Sequence, residues 1–287
     1  MNPINQDQKK ILDSLIVERL RDNVDNAALT RTFNNVKNDT LTQVIQDDVT
    51  RYKDASGFTA YYVVKTQNGE LLLYFSLKCG ELFEDLDFDK MELAVKTQNA
   101  LKIIIQEEDI KSAKYQEAKR FVDDNIAEIR NILPSINDFL QKKGEYNLEL
   151  QKEINSKMQR VLRTYPAIEL VEFCSNDNTR AIWKQLGLPE SKKLGECVFW
   201  YYIVPKLRQV QELIGCQYVY LFAADSSYDE ELINYYKSKL KYEQPLTLGA
   251  NKPHYDFKCT FLCQELNTLI KERDNFLNEF NTDEDYV

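Results

Sequence analysis

The chain has 287 residues, 43% of them hydrophobic and 29% charged, with a formal net charge of −9. This length accommodates one large domain or two small ones, with roughly 75% of the unfolded surface buried, so core size is not limiting. The acidic balance argues against broad nucleic-acid or anionic-membrane binding. No apolar run approaches the ~18 residues of a membrane span, and MNPINQDQKK lacks the apolar core of a secretory signal, so a cytoplasmic location is expected.

Residues 4–22 repeat apolar side chains at helical spacing (Ile11, Leu12, Leu15, Ile16, Leu20), which predicts a helix. A second polar helix is predicted over "LTQVIQDDVTRYK". Two runs rich in Val, Tyr and Phe, at about 58–66 and 70–78, flank Asn68-Gly69. Both turn residues tolerate positive φ, so a hairpin with a two-residue turn is predicted. Both runs are apolar on both faces, which suits a covered sheet. Residues 83–160 change to a Glu-, Asp-, Lys- and Gln-rich composition with apolar residues at helical spacing, among them Phe121, Val122, Ile126, Ile129, Ile132, Phe139 and Leu140. They read as a helical insertion, a hairpin broken at Pro134 and Gly144, with solvated charged faces.

From Tyr165 the strand-helix pattern resumes. "AIELVEFC" predicts a strand and "TRAIWKQLGL" a short helix or loop. In "SKKLGECVFWYYIVPKLRQVQELIGCQYVYLFAAD" a lysine-glycine turn precedes an apolar run, a charged helix and a strand. Pro205 leaves two readings open. It kinks a helix and strands the carbonyl of Tyr201, or it begins a helix after a strand at 197–203. "DEELINYYKSKLKYEQ" predicts a helix flowing into a strand, "YDFKCTFLCQEL" the last strand, and "LNTLIKERDNFLNEF" a closing helix. The order implies an α+β or α/β chain. It has a mixed sheet with helices on its faces and an inserted helical hairpin. The expected divisions are 1–82, 83–164 and 165–287.

The six cysteines, Cys79, Cys174, Cys197, Cys216, Cys259 and Cys263, lie in apolar runs and read as reduced, mostly buried thiols. His254, Cys259 and Cys263 invite a metal reading. On a strand, however, Cys259 and Cys263 stand about 13 Å apart at roughly 3.3 Å per residue. That is too far for one zinc or one disulfide, so no metal is expected. No nucleophilic triad is recognisable around the single histidine.

A helix beginning near Glu196 or Cys197 would present unpartnered N–H groups and a positive dipole end. Gly195 allows close backbone approach and Lys192 and Lys193 add charge, a recipe for a phosphate cradle, although Glu196 would repel phosphate if it faced the ligand.

The region from about 166 to 264 resembles the GNAT superfamily of acyl-CoA-dependent N-acetyltransferases. The strand Ile168–Cys174 and the turn Lys192-Lys193-Leu194-Gly195-Glu196-Cys197 carry the likeness, together with the strand Tyr218 to Ala223 and the aromatic segment "LINYYKSKLKYEQ". The turn has Lys for the family's Gln/Arg and Cys for its last small residue. A 17-residue stretch, "SNDNTRAIWKQLGLPES", separates strand from turn where the family joins them directly. The resemblance covers about half the chain. It implies a mostly antiparallel sheet with a splayed parallel pair, acetyl-CoA as acyl donor, and direct transfer of the acetyl group to an amine. Amides near Phe173 and Cys174 would hold the pantetheine, and the 192–197 turn the diphosphate. Asn234 joins the cofactor-binding set. Tyr236 or Tyr235 would protonate the leaving thiolate, and Glu172 or Glu169 would act as base. On a regular strand those two carboxylates face opposite sides, so at most one can serve.

The acceptor implied is an amine of a small molecule, peptide, protein or charged tRNA, and the acidic surface suits a cationic one. A homodimer is one option for the assembly. The competing reading is a non-catalytic GNAT-like module that binds a protein partner through the insertion; a toxin-like acetyltransferase is a third.

Overall fold

The structure is a computed structural model that describes residues 2–84, 93–107, 109–132, 164–225, 227, 229–245, 248–251 and 259–282. At its start, α1 (Gln6–Asp13) opens with a capping box between Asn5 and Gln8. The helix predicted to residue 22 stops at Ser14, and Ile16–Arg19 instead form an edge strand, β1. Helical spacing and strand alternation are indistinguishable over four residues. Tertiary partners decide: β1 pairs antiparallel with the next strand, and Arg19 Nη2 sits 2.6 Å from the fully buried carboxylate of Asp54. The second predicted helix divides into α2 (Asp39–Gln46) and α3 (Asp48–Ser56). Asp47 breaks it because its carboxylate accepts from the Val49 N–H at 2.8 Å, and a residue capping one helix cannot continue another.

The hairpin forms as β2 (Ala60–Lys65) and β3 (Leu71–Glu84). Its turn departs from the two-residue type. Gly69 is left-handed at φ 86°, whereas Asn68 is not among the positive-φ residues. Hydrogen bonds of 3.0 Å run from Gly69 N–H to the Thr66 carbonyl and from Thr66 N–H to the Glu70 carbonyl. A hydrogen-bonded turn followed by one left-handed glycine reverses the chain as effectively.

Further along come β4 (Thr164–Ser175), β5 (Tyr218–Ala223), a two-residue strand β6 (Leu248–Gly249) and β7 (Thr260–Glu265). The main path of the sheet is β1-β2-β3-β4-β5-β7, and β4-β5 is its parallel pair. The sheet is therefore mixed and mostly antiparallel. One face carries Phe75, Leu77, Ile168, Leu170, Val219 and Leu221 in a core shared with Leu12, Phe199, Leu207 and Leu269. The other carries Tyr61, Val63, Tyr74 and Cys174 against Phe33 and Ile45. Helices cover both faces, which is why the strands are apolar on both sides.

The chain divides into two compact units, the second comprising residues 84–163 and 246–248. Taken by itself, this second unit contains the helices Val95–Gln106, Ala113–Asp124 and Ile126–Ile132 around Leu101, Ile104, Tyr115, Val122 and Ile129. Pro134, Phe139, Leu140 and Gly144 lie outside the described residues, as does His254.

The segment around Pro205 is helical throughout. An α-turn over Leu194–Val198 passes through a π-turn at Phe199–Ile203 into a helix over Val204–Ile214, with Pro205 in its first turn. The strand alternative at 197–203 is excluded. The widened turn also relocates the unpaired carbonyl. Val204 N–H bonds the carbonyl of Phe199, five residues back, so the N–H that Pro205 lacks would have served Trp200 rather than Tyr201. Arg273 of the last helix (Leu266–Asn278) fills that vacancy, donating from Nε to the Trp200 carbonyl at 3.0 Å.

Candidate active site

Strands β4 and β5 run side by side only at Ala167↔Tyr218, Ile168↔Val219 and Glu169↔Tyr220. Beyond Glu169 the ladder between them ends, although β4 continues to Ser175 and β5 to Ala223. Each keeps its outer neighbour, β4 through Leu73↔Ser175 and β5 through Ala223↔Thr260. The parallel pair thus parts at its carboxyl ends, where open sheets commonly place ligands.

The helix beginning at Leu194 starts beside this opening. Lys193 is its N-cap residue and no side chain caps its first turn. Gly195 is held close to the opening's aromatic lining. A Cβ there would lie 2.9 Å from the Tyr235 hydroxyl and 3.4 Å from the Phe173 ring. This close approach is the reason for glycine. It also separates the two tyrosines. Tyr235 directs its hydroxyl to the helix start, while Tyr236 is buried in the core with its ring centroid 6.1 Å from that of Tyr242. Burial pushes the Tyr235 hydroxyl well above the ordinary phenol value, and nearby Glu196 adds to this. It therefore stays protonated at neutral pH and able to donate.

The other proposed donor-binding residues take varied positions. Lys192 is buried with its ammonium 5.3 Å from the Phe276 ring centroid and 5.9 Å from that of Phe280. Lys193 donates to the Glu190 carbonyl at 3.0 Å. Glu196 is buried and borders, with Lys192 and Trp200, a cavity of about 220 Å³ on the helix flank. Leu194 packs against the core and Cys197 is fully buried within it. Asn234 is exposed and donates to the Asp229 carbonyl at 3.0 Å. Cys174 belongs to the opposite face, its thiol pushed up to about 12 by burial.

The carboxylates depart from the alternation expected of them. In the β3–β4 ladder Phe75 faces Phe173 and Leu77 faces Leu170, so Val171 and Glu172 together oppose Ser76 alone. This bulge adds one residue to β4 and restores Glu169 and Glu172 to one face. Ser76 and Lys78, two apart on β3, confirm it. The Ser76 hydroxyl donates to Glu172 Oε2, and Lys78 Nζ lies 3.8 Å from Glu169 Oε2. The Tyr220 hydroxyl donates to the same Glu169 oxygen at 3.4 Å. Burial raises both carboxyls above the ordinary value; Ser76 opposes this at Glu172, and Lys78 at Glu169. Glu172 neighbours Phe173 in sequence but points to the opposite face. The opening is therefore flanked by the helix start and Tyr235 on one side of the sheet, and by the two acids on the other. Ser76 carries no motif in the sequence; its role emerges only from the bulge.

Among the described residues, no group of three His, Cys, Asp or Glu side chains could hold a metal, and no helix is long and apolar enough to cross a membrane.

No family model matches the chain, and no curated protein matches it. Solved structures do align with it. AtaTR bound with AcCoA covers 90% of this chain and 96% of its own, at 12% identity and a TM-score of 0.46. AtaT complexed with acetyl-methionyl-tRNAfMet covers 89% and 96%, at 12% identity and a TM-score of 0.43. A point mutant of KacT covers 90% and 99%, at 11% identity and a TM-score of 0.44. Among the described residues, a helix-flanked mixed sheet, one parallel pair whose ladder ends before Phe173 and a helix starting beside that ring match the arrangement that the resemblance to the GNAT superfamily implies.

Proposed function

We propose that this protein is an acyl-CoA-dependent N-acetyltransferase that moves an acetyl group from acetyl-CoA directly to an amine. One observation carries the reading. The β4–β5 ladder ends after Glu169↔Tyr220, leaving a gap with a proton donor on one face and carboxylates on the other. A thioester in that gap is open to attack from the acid side while its sulfur lies toward Tyr235.

Each residue has a task that its surroundings suit. Glu172, raised by burial, takes a proton from the incoming ammonium, so that the amine attacks with a free lone pair. The β4 backbone edge beyond Glu169 has no β5 partner in the ladder and offers N–H donors to the thioester oxygen as charge develops there. Tyr235 gives its proton to the departing thiolate and regains one as the attacking nitrogen sheds its second proton on becoming an amide. The uncapped first turn at Leu194 and the close approach at Gly195 receive the diphosphate. The acceptor is an amine on a small molecule, peptide, protein or charged tRNA.

Isothermal titration with acetyl-CoA tests the reading directly. Binding with about micromolar affinity, together with transfer that Tyr235→Phe reduces and Tyr236→Phe spares, supports it. Absence of any heat with both CoA and acetyl-CoA ends it and leaves the protein-binding module.

A further inference from the structure

The β4 bulge creates a problem that one side chain resolves. With Val171 and Glu172 both opposite Ser76, the regular β3–β4 ladder lapses there and the Glu172 N–H loses its strand partner. A buried N–H left unpaired forfeits its hydration with nothing in return. The Ser76 hydroxyl accepts from that N–H at 3.1 Å and donates its own proton to Glu172 Oε2. Ser76 is fully buried, so this hydroxyl has no water to turn to. Both of its hydrogen-bonding roles are spent on one residue, once on the backbone and once on the carboxylate.

We propose that Ser76 is a positioning residue for transfer: it ties the Glu172 carboxylate to the bulge that brings it beside the gap. The inference rests on the reading of Glu172 as the base. A side-chain carboxylate on a strand ordinarily retains rotamer freedom. Here the same hydroxyl links its oxygen to its own backbone, so bulge geometry and carboxylate direction are set together. The groups facing Glu172 are Ser76 and Tyr74 on β3, Tyr61 on β2, Lys53 on α3 and Glu169 on β4. Among them Ser76 makes the reciprocal contact.

The experiment is a double-mutant cycle of Ser76→Ala and Glu172→Gln, read by acetyl transfer and, independently of transfer, by a carbon-13 NMR titration of the Glu172 carboxyl. In Ser76→Ala, kcat falls about tenfold or more, the fold-change given by roughly 1.4 kcal/mol from a lost hydrogen bond to a charged group, while the acceptor KM stays within about twofold. The Glu172 titration and the acid limb of the rate profile both move to higher pH, because the lost bond favoured the charged form. In the Glu172→Gln background, Ser76→Ala changes kcat little. Ser76→Thr keeps the hydroxyl and restores the titration, and it serves as the readout if Ser76→Ala does not fold. A Glu172 titration indifferent to Ser76→Ala, or additive losses in kcat, overturns the proposal. A wild-type protein that binds no acetyl-CoA but whose Glu172 titration shifts in Ser76→Ala keeps the clamp and sinks the transferase reading instead.

Discussion

The two faces of β4 are built by opposite means. On the Phe173 face, contact is made by aromatic packing: Phe173 and the Tyr235 hydroxyl close on Gly195, and Phe199 follows one helical turn later, 6.4 Å from the Phe173 ring centroid. On the Glu172 face, contact is made by hydrogen bonds around a bulge, through Ser76, and by Lys78 and Tyr220 at Glu169. The first face tolerates small shifts because rings slide. The second does not, because a buried hydrogen bond is directional and expensive to lose. One strand thus joins an aromatic surface on one face to a rigidly mounted carboxylate on the other.

Substitutions on either face put that contrast to the test. Glu172→Gln should have the largest effect, lowering kcat by on the order of 10²–10³, since general-base catalysis contributes 10²–10⁴. An amine-acetylation assay with saturating acetyl-CoA reads it. Tyr235→Phe should cost about 10² in kcat while leaving CoA affinity within a few-fold, whereas Tyr236→Phe, on the core side, should remain within about threefold of wild type. Equal losses from the two tyrosines would remove the distinction drawn from Gly195. Gly195→Ala places a Cβ 2.9 Å from the Tyr235 hydroxyl and so displaces it, and activity should fall about tenfold. Stability should change little, because the better helix propensity of alanine, about 1 kcal/mol, is offset by that close contact. Thermal unfolding and kinetics on the same sample separate the two.

The pH dependence follows from burial of Glu172. Its carboxyl value is raised, so activity should be lost as pH falls through that raised value and be full above it. Folding favours the neutral carboxyl for the same reason. The stability it contributes at low pH is lost as pH rises through the folded-state value, so the melting temperature of Glu172→Gln should gain on wild type with increasing pH. The smallest effect is expected far from the acids. Arg273→Ala leaves the Trp200 carbonyl of the π-turn without its donor and should lower stability by about 1–2 kcal/mol, with little change in kcat. A large kinetic effect there would show that the helix start, and not only its packing, depends on the π-turn.

Local chemistry was legible. The hairpin around Asn68-Gly69, the strand through Ile168–Cys174 and the aromatic helix stand where residue patterns predicted them, whereas the helix predicted near Glu196 starts at Leu194 and takes in Gly195. Errors fell where neighbours override a short pattern. Four residues of helical spacing became β1 once β2 offered a partner, and Asp47 capped a helix it was expected to continue. The carboxylates illustrate the limit best. Two-residue alternation places Glu169 and Glu172 on opposite faces, and the β3–β4 register puts them on the same one.

Hydrophobic patterning and turn chemistry act over a few residues, so the order of amino acids suffices to say which segments bury apolar side chains and with what period. Where β4 bulges, where it parts from β5 and which tyrosine reaches Gly195 were settled by the folded chain alone. Those outcomes depend on ladder register and close contacts between segments far apart in the chain, and no local pattern encodes them.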